Sequence, residues 1–208
     1  MRSSSLSNTF LSDAVAARFD YAAKCYEDAA IMQKTAAERF DAWLVDHNKA
    51  SSSVNIVHST SALALPPHQN NHQHKWQAGL APKRIVEIGC GTGFLTRRLQ
   101  NRYRQAHIHI TDLAPAMLAH CRNSLPTTPQ LSFAIADARN AIFNPRPDWI
   151  VSTMCFQWLD DLPSVLKWHF EQCQVLAFSL LLDRSFSAWK QAHQAQNLPL
   201  GLRPLPEW

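Results

Sequence analysis

Four residues at alternate positions could carry chemistry: Glu87, Gly89, Gly91 and Gly93 in the stretch Val86-Glu87-Ile88-Gly89-Cys90-Gly91-Thr92-Gly93-Phe94. Glycine lacks a Cβ, so it accepts strained dihedrals and lets the backbone lie against a ligand. A dinucleotide site wants G-x-G-x-x-G, which brings a pyrophosphate to a helix N-terminus. Gly89 and Gly91 meet that spacing, but Phe94 stands where the third glycine is required. A carboxylate at Glu87 also suits a cationic ligand better than a phosphate. Two more carboxylates follow at the ends of apolar runs, Asp112 and Asp137. An acidic residue one β-α unit beyond a glycine turn can accept hydrogen bonds from both hydroxyls of a ribose. Capping of the next helix, with Pro115 just inside it, is the other reading of Asp112.

The surrounding pattern supplies elements to position these groups. An apolar strand, 84–88, runs into the turn, and a helical pattern with Leu95, Leu99 and Tyr103 on one face leaves it. Strands are expected at 106–111, 131–136, 148–154 and 175–182. The fourth is apolar almost throughout, as a central parallel strand should be. Between them, Met117, Leu118, Cys121 and Leu125 mark the buried face of one helix. Leu162, Val165, Leu166 and His169 mark that of another, 162–170, with the Asp160-Asp161 pair in capping position. Asn144-Pro145-Arg146-Pro147 reads as a turn. Upstream, Ser12-Asp13 can cap a first helix, and Ala36, Phe40, Trp43 and Leu44 predict an amphipathic helix to about Asp46. Residues 47–82 change character: rich in Ser, Asn, His and Gln, they lack helix or strand period and read as a polar, partly disordered insertion. His68, His72 and His74 lie there without a cysteine or carboxylate beside them, so a polar linker rather than a metal site is expected.

The 208 residues, 46% of them hydrophobic, suffice for one α/β domain with a substantial core. The net charge of +4 is spread without a dense Lys/Arg stripe, so no nucleic-acid partner is expected. Five cysteines, an odd number with no C-x-x-C, indicate neither a disulfide framework nor a zinc ribbon, and a reducing cytoplasm is the simple inference. No segment reaches the length of a membrane span, and the N-terminus lacks the apolar run of a signal peptide.

The pattern Glu87-x-Gly89-x-Gly91-x-Gly93 resembles motif I of class I S-adenosylmethionine-dependent methyltransferases. Four stretches together resemble the malonyl-acyl-carrier-protein O-methyltransferases of biotin synthesis: F-D-x-A-A-x-x-Y at 19–26, E-I-G-C-G-T-G-F-L-T-R-R-L at 87–99, Q-W-x-D-D-L-P at 157–163 and A-F-S-L-L-L-D-R-S-F at 177–186. The Gln157-Trp158 pair is also similar to trans-aconitate methyltransferases, which likewise esterify a carboxylate. The resemblance implies a Rossmann-like, mostly parallel sheet in the order 3-2-1-4-5 with helices on both faces. It implies S-adenosylmethionine as cofactor, with the glycine turn against its methionine part and Asp112 and Leu113 at the ribose. Asp137 would lie beside the adenine amino group and Ala138 beside the ring, with Tyr26 closing from an N-terminal helical lid, 1–46.

The implied acceptor is the free carboxylate of malonyl-acyl carrier protein. A carboxylate with a pKa of roughly 4 is ionised at neutral pH and needs no general base, so no catalytic residue is assigned. Gln157 and Trp158 would wall the pocket, and Arg184, Lys190 or Arg203 would hold the thioester arm or the acidic carrier. Three departures stand against the resemblance. The 47–82 insertion has no counterpart. Residues 171–174 replace the usual Pro-Gly-Gly before strand 5. The chain also stops at Trp208 inside a substrate-covering segment, 183–208, before a final strand pair, so a truncated and inactive copy is a further expectation.

Overall fold

The structure, a computed structural model, describes residues 14–23, 25–49, 81–182, 185 and 187–196. Most of the 47–82 insertion, with His68, His72 and His74, and also Arg184 and Arg203 therefore lie outside the described residues. Helix α1 occupies 14–22, followed by the single turn α2, Tyr26–Ala29, and the long α3, Ile31–Lys49. The core then alternates: β1 Arg84–Ile88, α4 Phe94–Arg102, β2 His107–Asp112, α5 Pro115–Asn123, β3 Leu131–Ile135, β4 Trp149–Thr153, a 3-10 turn Phe156–Trp158, α6 Leu162–Gln172, β5 Val175–Ser179 and α7 Ser187–Ala195.

All four strand pairings are parallel, and the order is β3-β2-β1-β4-β5, as the resemblance implied. Strand alternation divides the core into two layers. Ile85, Ile108, Ile110, Trp149 and Val151 pack with α3, α4 and α5, whereas Val86, Ile88 and Ile150 pack with Leu162 and Leu166 of α6 on the other face. The α3 face that meets the sheet is Ala37, Phe40 and Leu44, one residue on from the expected Ala36. Asp41 on the same helix is buried, and Arg102 of α4 grips both its oxygens at 2.9 and 2.6 Å.

Several boundaries shift by a few residues. β5 ends at Ser179 rather than at 182, because its partner β4 ends at Thr153, with which Ser179 is in register. α6 runs two residues beyond 170, and α3 continues to Lys49. Asp161 caps α6 by accepting the Ser164 amide, as the sequence suggested. Asp112 is not the cap of α5. It is the last residue of β2, and Ala114 holds the N-cap position. No helix among the described residues is long and apolar enough to cross a membrane. No cluster of three or more His, Cys, Asp or Glu suited to a metal occurs among them either.

Candidate functional site

The site forms where β1 ends. Hydroxyls from the neighbouring strands fix its last carbonyls: Thr111 Oγ1 donates to Glu87 O at 2.8 Å and Ser152 Oγ to Ile88 O at 2.9 Å. The chain then turns through Gly89, Gly91 and Gly93, all with positive φ of 71°, 54° and 93°. The three glycines do different work. A Cβ on Gly89 would lie 2.5 Å from Cys155 Sγ, and one on Gly93 2.8 Å from Cys121 Sγ, so these two let the turn close against β4 and α5. Gly91 meets nothing within 4 Å and faces open space. Beside the turn lies a pocket lined by Gly89 to Thr92, Asp112, Leu113, Asp137, Ala138, Met154 and Trp158, and roofed by Phe19 and Tyr26.

Asp112 ties the pocket together. Its Oδ2 accepts the Gly91 amide at 2.8 Å and its Oδ1 the Ala114 amide at 2.9 Å. Burial raises its pKa, while the amide hydrogen bonds oppose that rise. A carboxylate offers about four lone-pair sites, so each oxygen can still accept a hydroxyl. Across the pocket, Asp137 is held by the Arg139 guanidinium and by the Arg139 amide at 2.9 Å. Burial pushes the Asp137 carboxyl up, but the hydrogen bonds and charge of Arg139 outweigh it and hold the pKa below the ordinary value.

The roof comes from the N-terminal segment. Phe19 meets Tyr26 edge-on at 6.1 Å and Trp158 at 5.5 Å, bridging the two sides. Burial raises the Tyr26 pKa, opposed by a hydrogen bond with Gln33 and reinforced by the charge of nearby Asp112. Asp20 Oδ1 accepts the Ala116 amide at 2.7 Å, capping α5 from 96 positions away. Glu27 Oε1 pairs with Arg97 Nη2 at 3.2 Å.

Two expected residues stand elsewhere. Glu87 is 1% exposed and does not line the pocket; it lies on the α4-α5 face of β1, with one carboxyl oxygen unpartnered. Burial drives its pKa well above the ordinary carboxylate range, favouring the neutral acid. Gln157 is buried behind the 3-10 turn and is absent from the lining. Its Nε2 donates to Met154 O at 2.8 Å, bracing a non-glycine residue at φ 57°. Such a backbone is uncommon for a residue with a side chain and marks a constrained corner. Trp158, by contrast, lines the pocket at its rim. Cys155 also lines it, but burial pushes its thiol up to about 12, which removes it as a nucleophile near neutral pH.

Arg139, Gln33 and Phe19 reach the pocket without having been assigned a role in it. Only Phe19 carried a signal, standing in the F-D-x-A-A-x-x-Y stretch. Among the described lining residues, three carboxylates, Asp112, Asp137 and Asp160, face one guanidinium, Arg139. That balance suits a cation, through these aspartates rather than through Glu87, to which the sequence pattern assigned that part.

Comparison with known proteins agrees with this geometry. Residues 85–175 match the family described as Methyltransferase domain. A malonyl-[acyl-carrier protein] O-methyltransferase of Magnetococcus marinus is 33% identical over 128 residues, covering 60% of this chain and 47% of that protein. A biotin biosynthesis bifunctional protein of Bordetella avium is 34% identical over 194 residues, covering 91% of this chain and 35% of that protein. The chain thus spans about half or less of the length of these two relatives. In fold, it is similar at a TM-score of 0.54 and 14% identity to a chain of the Haloferax volcanii complex between the Trm112 methyltransferase activator and a methyltransferase, covering 89% of this chain and 69% of that one. Glycine turn, strand-end carboxylates, sheet order and sequence similarity agree: residues 85–175 match a methyltransferase domain, set in a chain that is similar, over part of their length, to malonyl-[acyl-carrier protein] O-methyltransferases.

Proposed function

We propose that this chain binds S-adenosylmethionine in the pocket above β1 and transfers its methyl group to the free carboxylate of a malonyl thioester on an acyl carrier protein. The observation that carries the cofactor reading is the pocket at the glycine turn, where Gly91 meets nothing within 4 Å and Asp112 and Asp137 share the lining. The residues present fit the group: a cradle without a Cβ, a carboxylate with spare lone pairs for a diol, and an excess of negative charge for a cation. When bound, S-adenosylmethionine supplies an electrophilic methyl on a sulfonium.

The chain's own residues bind, orient and exclude water. Asp112 and Leu113 take the ribose end, and Asp137 and Ala138 the adenine end. Phe19, Tyr26 and Trp158 form an apolar roof, and the N-terminal segment acts as a lid. An ionised carboxylate needs no proton removed, so alignment in a dry site is the main contribution asked of the protein. The substrate-covering role of 183–208 and the place of Arg184 belong to the same proposal. The malonyl-carrier acceptor is supported by the relatives' names and by the four stretches of resemblance.

Titration calorimetry with S-adenosylhomocysteine tests the cofactor, and transfer of a labelled methyl group to malonyl-carrier, free malonate and trans-aconitate tests the acceptor. Binding together with transfer to malonyl-carrier is expected. Transfer only to a free acid would replace the acceptor, and absence of binding would remove the cofactor reading.

A further inference from the structure

α6 lies on the face of the sheet away from α3 and α4, and it braces the loop that follows the pocket residue Asp137. Three of its residues grip the loop that leaves Asp137. Trp168 Nε1 donates to Ala141 O at 3.0 Å, and Gln172 Nε2 donates to the same carbonyl at 3.0 Å. Gln172 Oε1 accepts the Phe143 amide at 3.1 Å. His169, wholly buried, contacts Ala138 O at 2.6 Å through Nε2.

A carbonyl can only accept, so Nε2 carries the proton and donates. Nδ1 has no hydrogen-bond partner among the described residues. The ring stacks between Phe156, at 6.0 Å and 2°, and Phe143, at 6.1 Å and 29°. Burial lowers the His169 pKa, so the neutral ring is the native form and the tautomer is fixed by the one bond it makes. A leucine would fill this apolar slot without leaving a buried nitrogen bare. The one hydrogen bond that the His169 ring makes falls on the residue next to Asp137.

We propose that His169 is a positioning residue for the adenine end of the pocket, holding the Asp137-Ala138 corner in place through the Ala138 carbonyl. Trp168 and Gln172 anchor the following turn, and the two phenylalanine rings stop the imidazole from swinging away. The inference rests on the cofactor reading above and adds to it a residue that touches no ligand.

Calorimetry with two probes on the full chain tests it: S-adenosylhomocysteine, and S-inosylhomocysteine, which carries an oxygen in place of the adenine amino group. His169→Phe keeps a ring in the slot but cannot donate. His169→Gln keeps an N–H donor. We expect the wild-type preference for the adenine compound to shrink about tenfold in His169→Phe and to return to within about threefold in His169→Gln, the scale of one hydrogen bond's influence. A general loss of stability would weaken both probes alike and leave their ratio unchanged; a folded His169→Phe with the wild-type ratio overturns the inference. If the wild type binds neither probe, the cofactor reading fails first. Should His169→Phe not fold, imidazole 15N spectra of the wild type decide: an Nε2-protonated ring perturbed by S-adenosylhomocysteine supports the role, and an unperturbed ring at saturation overturns it.

Discussion

Two aspartates at opposite ends of the sheet use the same chemistry for different ends. Asp148, where β4 begins, accepts the Lys83 and Arg84 amides on Oδ2 at 2.7 and 2.9 Å and Gln174 Nε2 on Oδ1 at 3.0 Å. Asp112, where β2 ends, accepts two amides, one on each oxygen. At the lower end, every bond stitches one strand start to another. At the upper end, the bonds hold a turn apart from a helix and leave lone pairs facing a cavity. An open parallel sheet leaves a crevice outside the carboxyl ends of its strands where the strand order reverses, so a carboxylate there can serve a ligand and the scaffold together.

The largest effect that breaks this symmetry is expected from Asp112→Ala. Two ribose hydroxyl bonds and the anchor of the Gly91 amide are lost together, on the order of 3 kcal/mol in affinity for S-adenosylhomocysteine. Calorimetry reads it directly, and an unchanged affinity in a folded variant removes Asp112 from the site. Gly91→Ala comes next. A left-handed backbone costs a side-chain residue roughly 1–2 kcal/mol, and Gly91 lines the pocket, so both stability and affinity should fall. Asp148→Ala should lower unfolding free energy by about 1 kcal/mol in urea with no change in ligand affinity. A shift in affinity there would mean that the two ends are coupled.

The smallest expected effect is a pH slope. Burial lowers the pKa of both His109 and His169 from 6.5. The unfolded chain therefore takes up protons first as pH falls through 6.5, and stability falls with it until the folded-state values are passed. His169→Gln should flatten part of that slope in denaturation curves measured between neutral and mildly acid pH.

The sheet was legible because parallel strands buried on both faces leave apolar runs, and because the glycine spacing marks where β1 ends. The burial of Glu87 follows from the same pattern: period-two alternation puts it on the side of Ile85, behind the turn rather than in the pocket. The adjacent pair Gln157-Trp158 reads as one wall, yet a 3-10 turn sends the first inward to Met154 and the second to the rim. Gln33 and Arg139 were not legible as site residues, and the bond of Asp20 to α5 spans 96 positions, which local spacing does not encode. Gln33 is in helical register with Ala37, Phe40 and Leu44, but its polar type gives no sign of a ligand there. Arg139 stands only two residues beyond Asp137, but nothing in its type shows that it clasps that carboxylate.

The bond from Asp20 to the Ala116 amide also bears on how long a bound molecule stays. Because the segment over the pocket supplies the missing cap of α5, it cannot lift without exposing that amide to water. Escape of ligand on that side is thereby tied to fraying of a helix end. The deuterium uptake of one backbone position, Ala116, becomes a clock for residence time.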